Sequence, residues 1–70
     1  NYIQGIPDLL ILFFDRWATL EVKASADEPF QPNQEYYIDL MNEMSYSSVI
    51  FPQNEARVLR ELQHALCVNR

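Results

Sequence analysis

The pattern of apolar and polar positions divides the first part of the chain into two strands. Residues 9–14 form an uninterrupted apolar run, which is typical of a strand buried on both faces. The polar pair Asp15-Arg16 ends this run, and residues 17–24 then alternate. One face of the second strand carries Trp17, Thr19, Glu21 and Lys23. The pattern therefore predicts an antiparallel hairpin that turns at Asp15-Arg16.

The second part of the chain predicts a helix, a third strand and a last helix. Pro32 suits the first helical position because its φ angle is fixed. Apolar residues then recur at spacings of three and four, at Tyr37, Leu40, Met41 and Met44. Residues 46–51 predict a strand that ends at Pro52. Asn54 is a typical cap for the last helix, whose expected buried stripe is Val58, Leu59, Leu62, Ala65 and Leu66.

The order strand, strand, helix, strand, helix predicts a small α/β domain. A helix between two strands normally makes a crossover that leaves those strands parallel. We therefore expect residues 1–70 to form a single domain, with a small mixed sheet flanked by helices. A domain of this size has marginal stability, and oligomerisation is a common supplement.

Composition and charge narrow the functional classes. The chain is 49% hydrophobic, which excludes a disordered acidic tail, and none of its apolar runs is long enough to cross a membrane or form a signal peptide. Its formal net charge of −5 argues against holding nucleic acid through bulk charge alone. Cys67 is the only cysteine, which excludes an intrachain disulfide or a cysteine-rich zinc module and favours a reducing, intracellular setting.

Three charged residues are expected at one end of the hairpin. Asp8 stands before the first strand, and Glu21 and Lys23 share a face of the second because they are two positions apart. A turn at Asp15-Arg16 would place Asp8 opposite Lys23 and close to Glu21, with the Val22 side chain in the core. Carboxylate oxygens are the ligands that Mg²⁺ or Mn²⁺ prefers, and a lysine can stabilise charge on an attacked phosphate. The set is consistent with metal-assisted phosphodiester hydrolysis.

These residues carry a family resemblance. Gly5-Ile6-Pro7-Asp8 before the first strand and Leu20-Glu21-Val22-Lys23 at the end of the second resemble the PD-(D/E)XK nuclease signature. Pro32 and Gln34 further resemble the S-P-x-Q element of the VRR-NUC branch, with Gln31 in place of its serine. The match runs from the first motif to Gln34, and the order of the later elements agrees with that family.

The resemblance implies a restriction-endonuclease-like core and Mg²⁺- or Mn²⁺-dependent cleavage of DNA. It implies that Asp8 and Glu21 are side-chain metal ligands and that the Val22 carbonyl is a third. It also implies that Lys23 is the catalytic lysine and Gln34 a supporting active-site residue. Standalone members of this branch resemble small phage nucleases that act as dimers on branched DNA. We therefore expect a homodimeric nuclease of DNA repair or recombination that cuts Holliday junctions or flaps inside a bacterial or phage-infected cell.

Several alternatives stay open at this point. The family usually begins with a helix that carries a metal-holding glutamate, and this helix would precede Asn1, come from another subunit or be absent. The alternative function is a non-catalytic nucleic-acid-binding or assembly module that retains the nuclease fold. A lone Asp with a later Glu-x-Lys also occurs as a surface ion pair. Arg57, Arg60 and His64 recur at spacings of three and four, as a phosphate-contacting stripe or as a solvated helix face.

Overall fold

A computed structural model describes residues 4–68, which form a three-stranded sheet and two helices. The elements are β1 (Leu9–Phe13), β2 (Arg16–Val22), α1 (Gln34–Met44), β3 (Tyr46–Ile50) and α2 (Glu55–Gln63), and a π-helical segment (His64–Val68) follows. The predicted element order and the small α/β class are confirmed. Residues 1–3 and 69–70 of the expected domain lie outside the described residues. None of the helices in the described part of the chain is long and apolar enough to cross a membrane.

The sheet is mixed, as predicted. Its strand order is β1-β2-β3, with β1 antiparallel to β2 and β2 parallel to β3. Helix α1 makes the connection between the two parallel strands. Strand β2 is therefore the central strand, and it pairs with both β1 and β3.

The hairpin turns one residue earlier than the sequence indicated. Phe13 pairs with Arg16, so that Phe14 and Asp15 form the loop. Phe14 adopts a positive φ of 57°, which tight hairpin loops require but which Gly, Asn or Asp normally supplies. Moving the loop by one residue shifts each cross-strand partner by two positions. Because the shift is even, every side chain keeps its face of the sheet.

Helices α1 and α2 cover opposite faces of the sheet. On one face, Thr19 Oγ1 of β2 lies 2.8 Å from Ser47 Oγ of β3 and 3.6 Å from Met41 Sδ of α1. On the other face, the Tyr46 hydroxyl of β3 donates a hydrogen bond to Glu61 of α2 at 2.8 Å. Since strand residues alternate between faces, odd-numbered residues of β2 point towards α1 and even-numbered ones towards α2.

The buried apolar core is small and centres on β2, while β1 is exposed. The buried apolar residues are Ala18, Leu20, Ile38, Val58 and Leu66. The expectation that β1 is buried on both faces is wrong, because Leu10 is 63% and Leu12 70% exposed. Among the described strands, β1 lies at the sheet edge, and α1 packs mainly on β2 and β3.

Helix α1 begins later than predicted and buries a different face. Asn33 precedes the helix with φ 71°, so Pro32 lies in the preceding turn and not at the first helical position. Gln34 and Ile38 are the buried residues of α1, whereas Met44 of the predicted stripe is 65% exposed. The buried face of α1 includes the polar residue Gln34, so the pattern of apolar positions alone does not predict it.

Helix α2 begins directly after Asn54, as predicted. The Asn54 side chain closes the turn from β3 and does not cap the helix. Its Oδ1 accepts a hydrogen bond from the Phe51 amide at 2.9 Å, and its Nδ2 donates to the Val49 carbonyl at 3.0 Å. Val58 and Leu66 are buried as expected, whereas Leu59 of the predicted stripe is 41% exposed. Helix α2 packs on β3, and the π-helical segment packs on β2.

Candidate active site

Three of the predicted site residues are buried together at the end of β2. Glu21 is 3% exposed and Lys23 is 6% exposed, and both point to the face that α1 covers. Gln34, the first residue of α1, is 8% exposed and lies over the same face. Asp8 stands before β1 and is exposed. Burial of two charged side chains is costly unless each finds partners, so their contacts determine what the site can do.

The Gln34 amide links the two charged groups. Its Nε2 donates to Glu21 Oε2 at 2.8 Å, and its Oε1 accepts from Lys23 Nζ at 2.8 Å. Lys23 Nζ and Glu21 Oε2 are 3.9 Å apart, so the amide separates the ammonium from the carboxylate. The Gln31 backbone amide also donates to Gln34 Oε1, at 2.6 Å. Two donors therefore converge on this oxygen and fix the orientation of the amide.

Gly5 explains how the segment before β1 reaches the start of α1. Gly5 has a φ of 97°, and a Cβ atom there would lie 2.7 Å from the Asn33 carbonyl carbon and 2.8 Å from the Pro32 oxygen. Only glycine permits both this conformation and this close approach. The two motifs that the sequence carries, around Asp8 and around Gln34, are thus packed against each other.

Asp8 meets β2 at Glu21 and Val22. The observed register pairs Leu9 with Leu20, and continuing it by one residue places Asp8 opposite Glu21, which corrects the expectation that Asp8 lies opposite Lys23. Asp8 Oδ2 accepts a hydrogen bond from the Val22 amide at 3.3 Å. Since the N–H and C=O of one strand residue point to the same side, the Val22 carbonyl also faces the Asp8 side of β2.

The Val22 side chain does not enter the core. It is 48% exposed, and Val22 is the last residue of β2. The expectation that this side chain turns into the core is therefore wrong. The predicted role of Val22 depends on its backbone carbonyl, which this correction does not affect.

The surroundings of Glu21 disfavour the charged form of its carboxyl group. Burial raises the pKa of Glu21, the nearby Asp8 charge raises it further, and Lys23 opposes both effects. Glu21 Oε1 is buried and has no hydrogen-bond partner among the described residues. An unpaired buried oxygen beside a second carboxylate is a site that a divalent cation would satisfy. The residues present therefore fit Mg²⁺ or Mn²⁺.

The protein ligands offered to such an ion are few. In the described part of the chain, no group of three or more His, Cys, Asp and Glu side chains could hold a metal ion. The candidate set consists of the Asp8 and Glu21 carboxylates with the Val22 carbonyl. Mg²⁺ commonly keeps several waters and binds through one or two carboxylates together with substrate phosphates, so a set of this size is sufficient.

Sequence reasoning interpreted Glu28 as a solvated loop residue that follows Lys23 closely enough to line the site, and gave it no role. Glu28 Oε2 lies 3.8 Å from Lys23 Nζ, and Glu28 Oε1 accepts from the Ala24 amide at 2.7 Å. Lys23 Nζ also donates to the Pro29 carbonyl at 3.1 Å and lies 5.4 Å from the centre of the Phe30 ring. The sequence showed an acidic residue in a polar loop, which is typical of solvated surfaces, and its short separation from Lys23 along the chain was the signal that it could line the site.

The basic stripe of α2 lies apart from this site. Arg57, Arg60 and His64 are exposed, and Arg57 Nη1 donates to Glu61 Oε2 at 3.0 Å. Helix α2 covers the even-numbered face of β2, whereas Glu21 and Lys23 point to the other face. The stripe therefore does not contribute to the Glu21–Gln34–Lys23 cluster.

The chain has no significant match among protein-family models, curated proteins or solved structures.

Proposed function

We propose that this protein is a metal-dependent DNA endonuclease that hydrolyses phosphodiester bonds. The observation that supports it best is the buried Glu21–Gln34–Lys23 chain, in which Glu21 Oε1 has no donor. A purely structural ion pair would be expected to use both carboxylate oxygens. The proposal includes a restriction-endonuclease-like core, for which the PD-(D/E)XK resemblance of the two motifs is the support.

Each side chain has a role in this proposal. Asp8, Glu21 and the Val22 carbonyl would hold Mg²⁺ or Mn²⁺, which when bound lowers the pKa of a coordinated water and stabilises charge on the phosphate. Lys23 supplies positive charge to the phosphate oxygens as negative charge develops on them. Gln34 holds the carboxylate and the ammonium on separate hydrogen bonds, so that the two groups lie 3.9 Å apart and do not hydrogen-bond each other directly.

The proposed substrate is branched DNA, in an intracellular repair or recombination process. The chain has five Lys and Arg residues against ten Asp and Glu residues. With so few cations, affinity for uniform duplex DNA through counterion release is small. Recognition therefore depends on the shape of the DNA and on the metal, which agrees with Holliday junctions or flaps as substrates.

The experiment that tests this proposal compares cleavage of labelled four-way junction, flap, duplex and single-stranded DNA. Each substrate is incubated with Mg²⁺, Mn²⁺ or EDTA. We expect metal-dependent cleavage that Asp8→Ala reduces by on the order of 100-fold or more, because it removes a ligand and the acceptor of the Val22 amide. Asp39→Ala is the matched control, since Asp39 is an exposed carboxylate of α1.

Two results would contradict the proposal in different ways. Equal cleavage by the Asp8→Ala and Asp39→Ala proteins would place the chemistry elsewhere. DNA binding that is independent of metal, without cleavage of any substrate, would favour a non-catalytic nucleic-acid-binding or assembly module.

We also propose that the protein forms a homodimer through β1. Leu10 and Leu12 share one face of this edge strand and are 63% and 70% exposed, and Phe14 in the adjacent hairpin loop is 84% exposed. An apolar strand on an open sheet edge favours association with another chain. We expect a dimer in sedimentation equilibrium and a monomer after Leu12→Lys, whereas Gln53→Lys in an exposed turn should leave the dimer intact. A monomeric wild-type protein at high micromolar concentration would refute this proposal.

A further inference from the structure

We propose that Glu28 occupies the place that a DNA phosphate must take beside Lys23, and that substrate binding displaces it. The loop of residues 24–30 would then restrict access to the lysine until DNA arrives. This inference rests on the proposed nuclease function and specifies how its substrate reaches the site.

The ammonium of Lys23 is buried, and Glu28 is the more exposed of its two carboxylate neighbours. The Lys23 and Glu21 side chains are each 4% exposed, and Gln34 is also buried. The Glu28 side chain is 42% exposed while its Oε2 lies 3.8 Å from Lys23 Nζ. A phosphate that approaches Lys23 from the side of the 24–30 loop therefore meets the Glu28 carboxylate before it meets the ammonium.

Glu28 is held in this place by the loop itself. Its Oε1 accepts from the Ala24 amide at 2.7 Å, and its own amide donates to the Ser25 carbonyl at 3.3 Å. The Pro29 carbonyl, next in the chain, accepts from Lys23 Nζ at 3.1 Å. The loop thus closes over the lysine through contacts to Lys23 and to the two residues that follow it.

Lys23 has one N–H group without a close acceptor, so a phosphate can replace Glu28 beside it. A lysine ammonium has three N–H groups, and Gln34 Oε1 and the Pro29 carbonyl accept two of them. At 3.8 Å, Glu28 is an ion-pair partner without a direct hydrogen bond. A phosphate oxygen is the same kind of anionic acceptor and can make the shorter, charge-assisted bond. A half-exposed ion pair is weak, so a phosphate that other contacts hold in place can displace it.

The test measures DNA affinity under conditions that prevent cleavage. Glu28→Gln keeps an acceptor for the Ala24 amide and removes the charge, and Asp27→Asn makes the same charge change at the neighbouring exposed residue. Binding of a fluorescent four-way junction is followed by anisotropy with Ca²⁺ in place of Mg²⁺. We expect Glu28→Gln to lower the dissociation constant by about fivefold and Asp27→Asn by less than about twofold.

A double substitution tests whether the effect acts through Lys23. In a Lys23→Ala background the gain in affinity from Glu28→Gln should disappear, because the cation for which Glu28 and the phosphate compete is gone. Circular dichroism and thermal melting of each variant verify that the fold is retained.

Each outcome bears on one proposal or both. Equal changes in affinity for Glu28→Gln and Asp27→Asn would show a bulk charge effect and overturn the inference. Weaker binding by Glu28→Gln, or a gain in affinity that persists in the Lys23→Ala background, would also overturn it. If the wild-type protein still cleaves DNA, the nuclease proposal survives that failure. A wild-type protein that neither binds nor cleaves any DNA would overturn both.

Discussion

Lys23→Ala is expected to abolish DNA cleavage, with a fall in rate of about 10³-fold. The side chain is 4% exposed and donates to Gln34 Oε1 and the Pro29 carbonyl, so its charge is fixed in place before the reaction begins. A fixed charge stabilises the developing negative charge without reorganisation, which is why its loss affects the rate strongly. Binding of DNA in Ca²⁺ should change by less than about threefold, because only one cationic contact is removed.

The control for Lys23→Ala is Arg57→Ala. Arg57 carries the same charge but lies on α2 and pairs with Glu61 at 3.0 Å, away from the site. Rates are measured under single-turnover conditions at pH 7, beside a melting curve for each protein. Near wild-type cleavage by a folded Lys23→Ala protein would disprove the proposed mechanism.

Gln34→Leu is expected to destabilise the protein by about 3 kcal/mol and to remove cleavage. Leucine has a similar volume but cannot hydrogen-bond, so Glu21 Oε2 and Lys23 Nζ each lose a partner at 2.8 Å while they remain buried. The Gln31 amide loses its acceptor as well. For a domain of this size the melting temperature should fall by roughly 15 °C.

Gln53→Leu is the matched control for this substitution. Gln53 is exposed in the turn before α2, so the same chemical change there should shift the melting temperature by no more than about 3 °C. Unfolding is followed by circular dichroism in the absence of metal. A Gln34→Leu protein as stable as the Gln53→Leu protein would show that the amide is not needed to bury the two charges.

The sequence allowed the central features of the site to be predicted because they follow from short-range geometry. Glu21 and Lys23 share a face since alternate residues of any strand do so, whatever the rest of the fold. The alternation over residues 17–24 and the β-favouring run before Pro52 predicted β2 and β3 within a few residues. Gln34 was included because of a resemblance between motifs, and the structure places its amide between Glu21 and Lys23.

Other features required the folded chain. The partner of Asp8 depended on which residues form the hairpin loop, and the positive φ in that loop belongs to Phe14, a residue type that rarely adopts it. The apolar run of β1 indicated burial, but burial depends on which strand lies at the edge. The position of Glu28 beside Lys23 depends on the path of the loop back towards α1. The pattern of apolar and polar residues does not predict that path.

Local patterns thus specify the five elements, their order and the faces of β2, because backbone geometry fixes the spacing of side chains within one element. The register of the hairpin, the exposed position of β1, the buried face of α1 and the enclosure of Lys23 arise only when elements distant in sequence pack together. Polar and charged side chains can be buried only where other groups pair with them, because an unpaired buried group is costly. Gln34 provides such hydrogen bonds for Glu21 and Lys23.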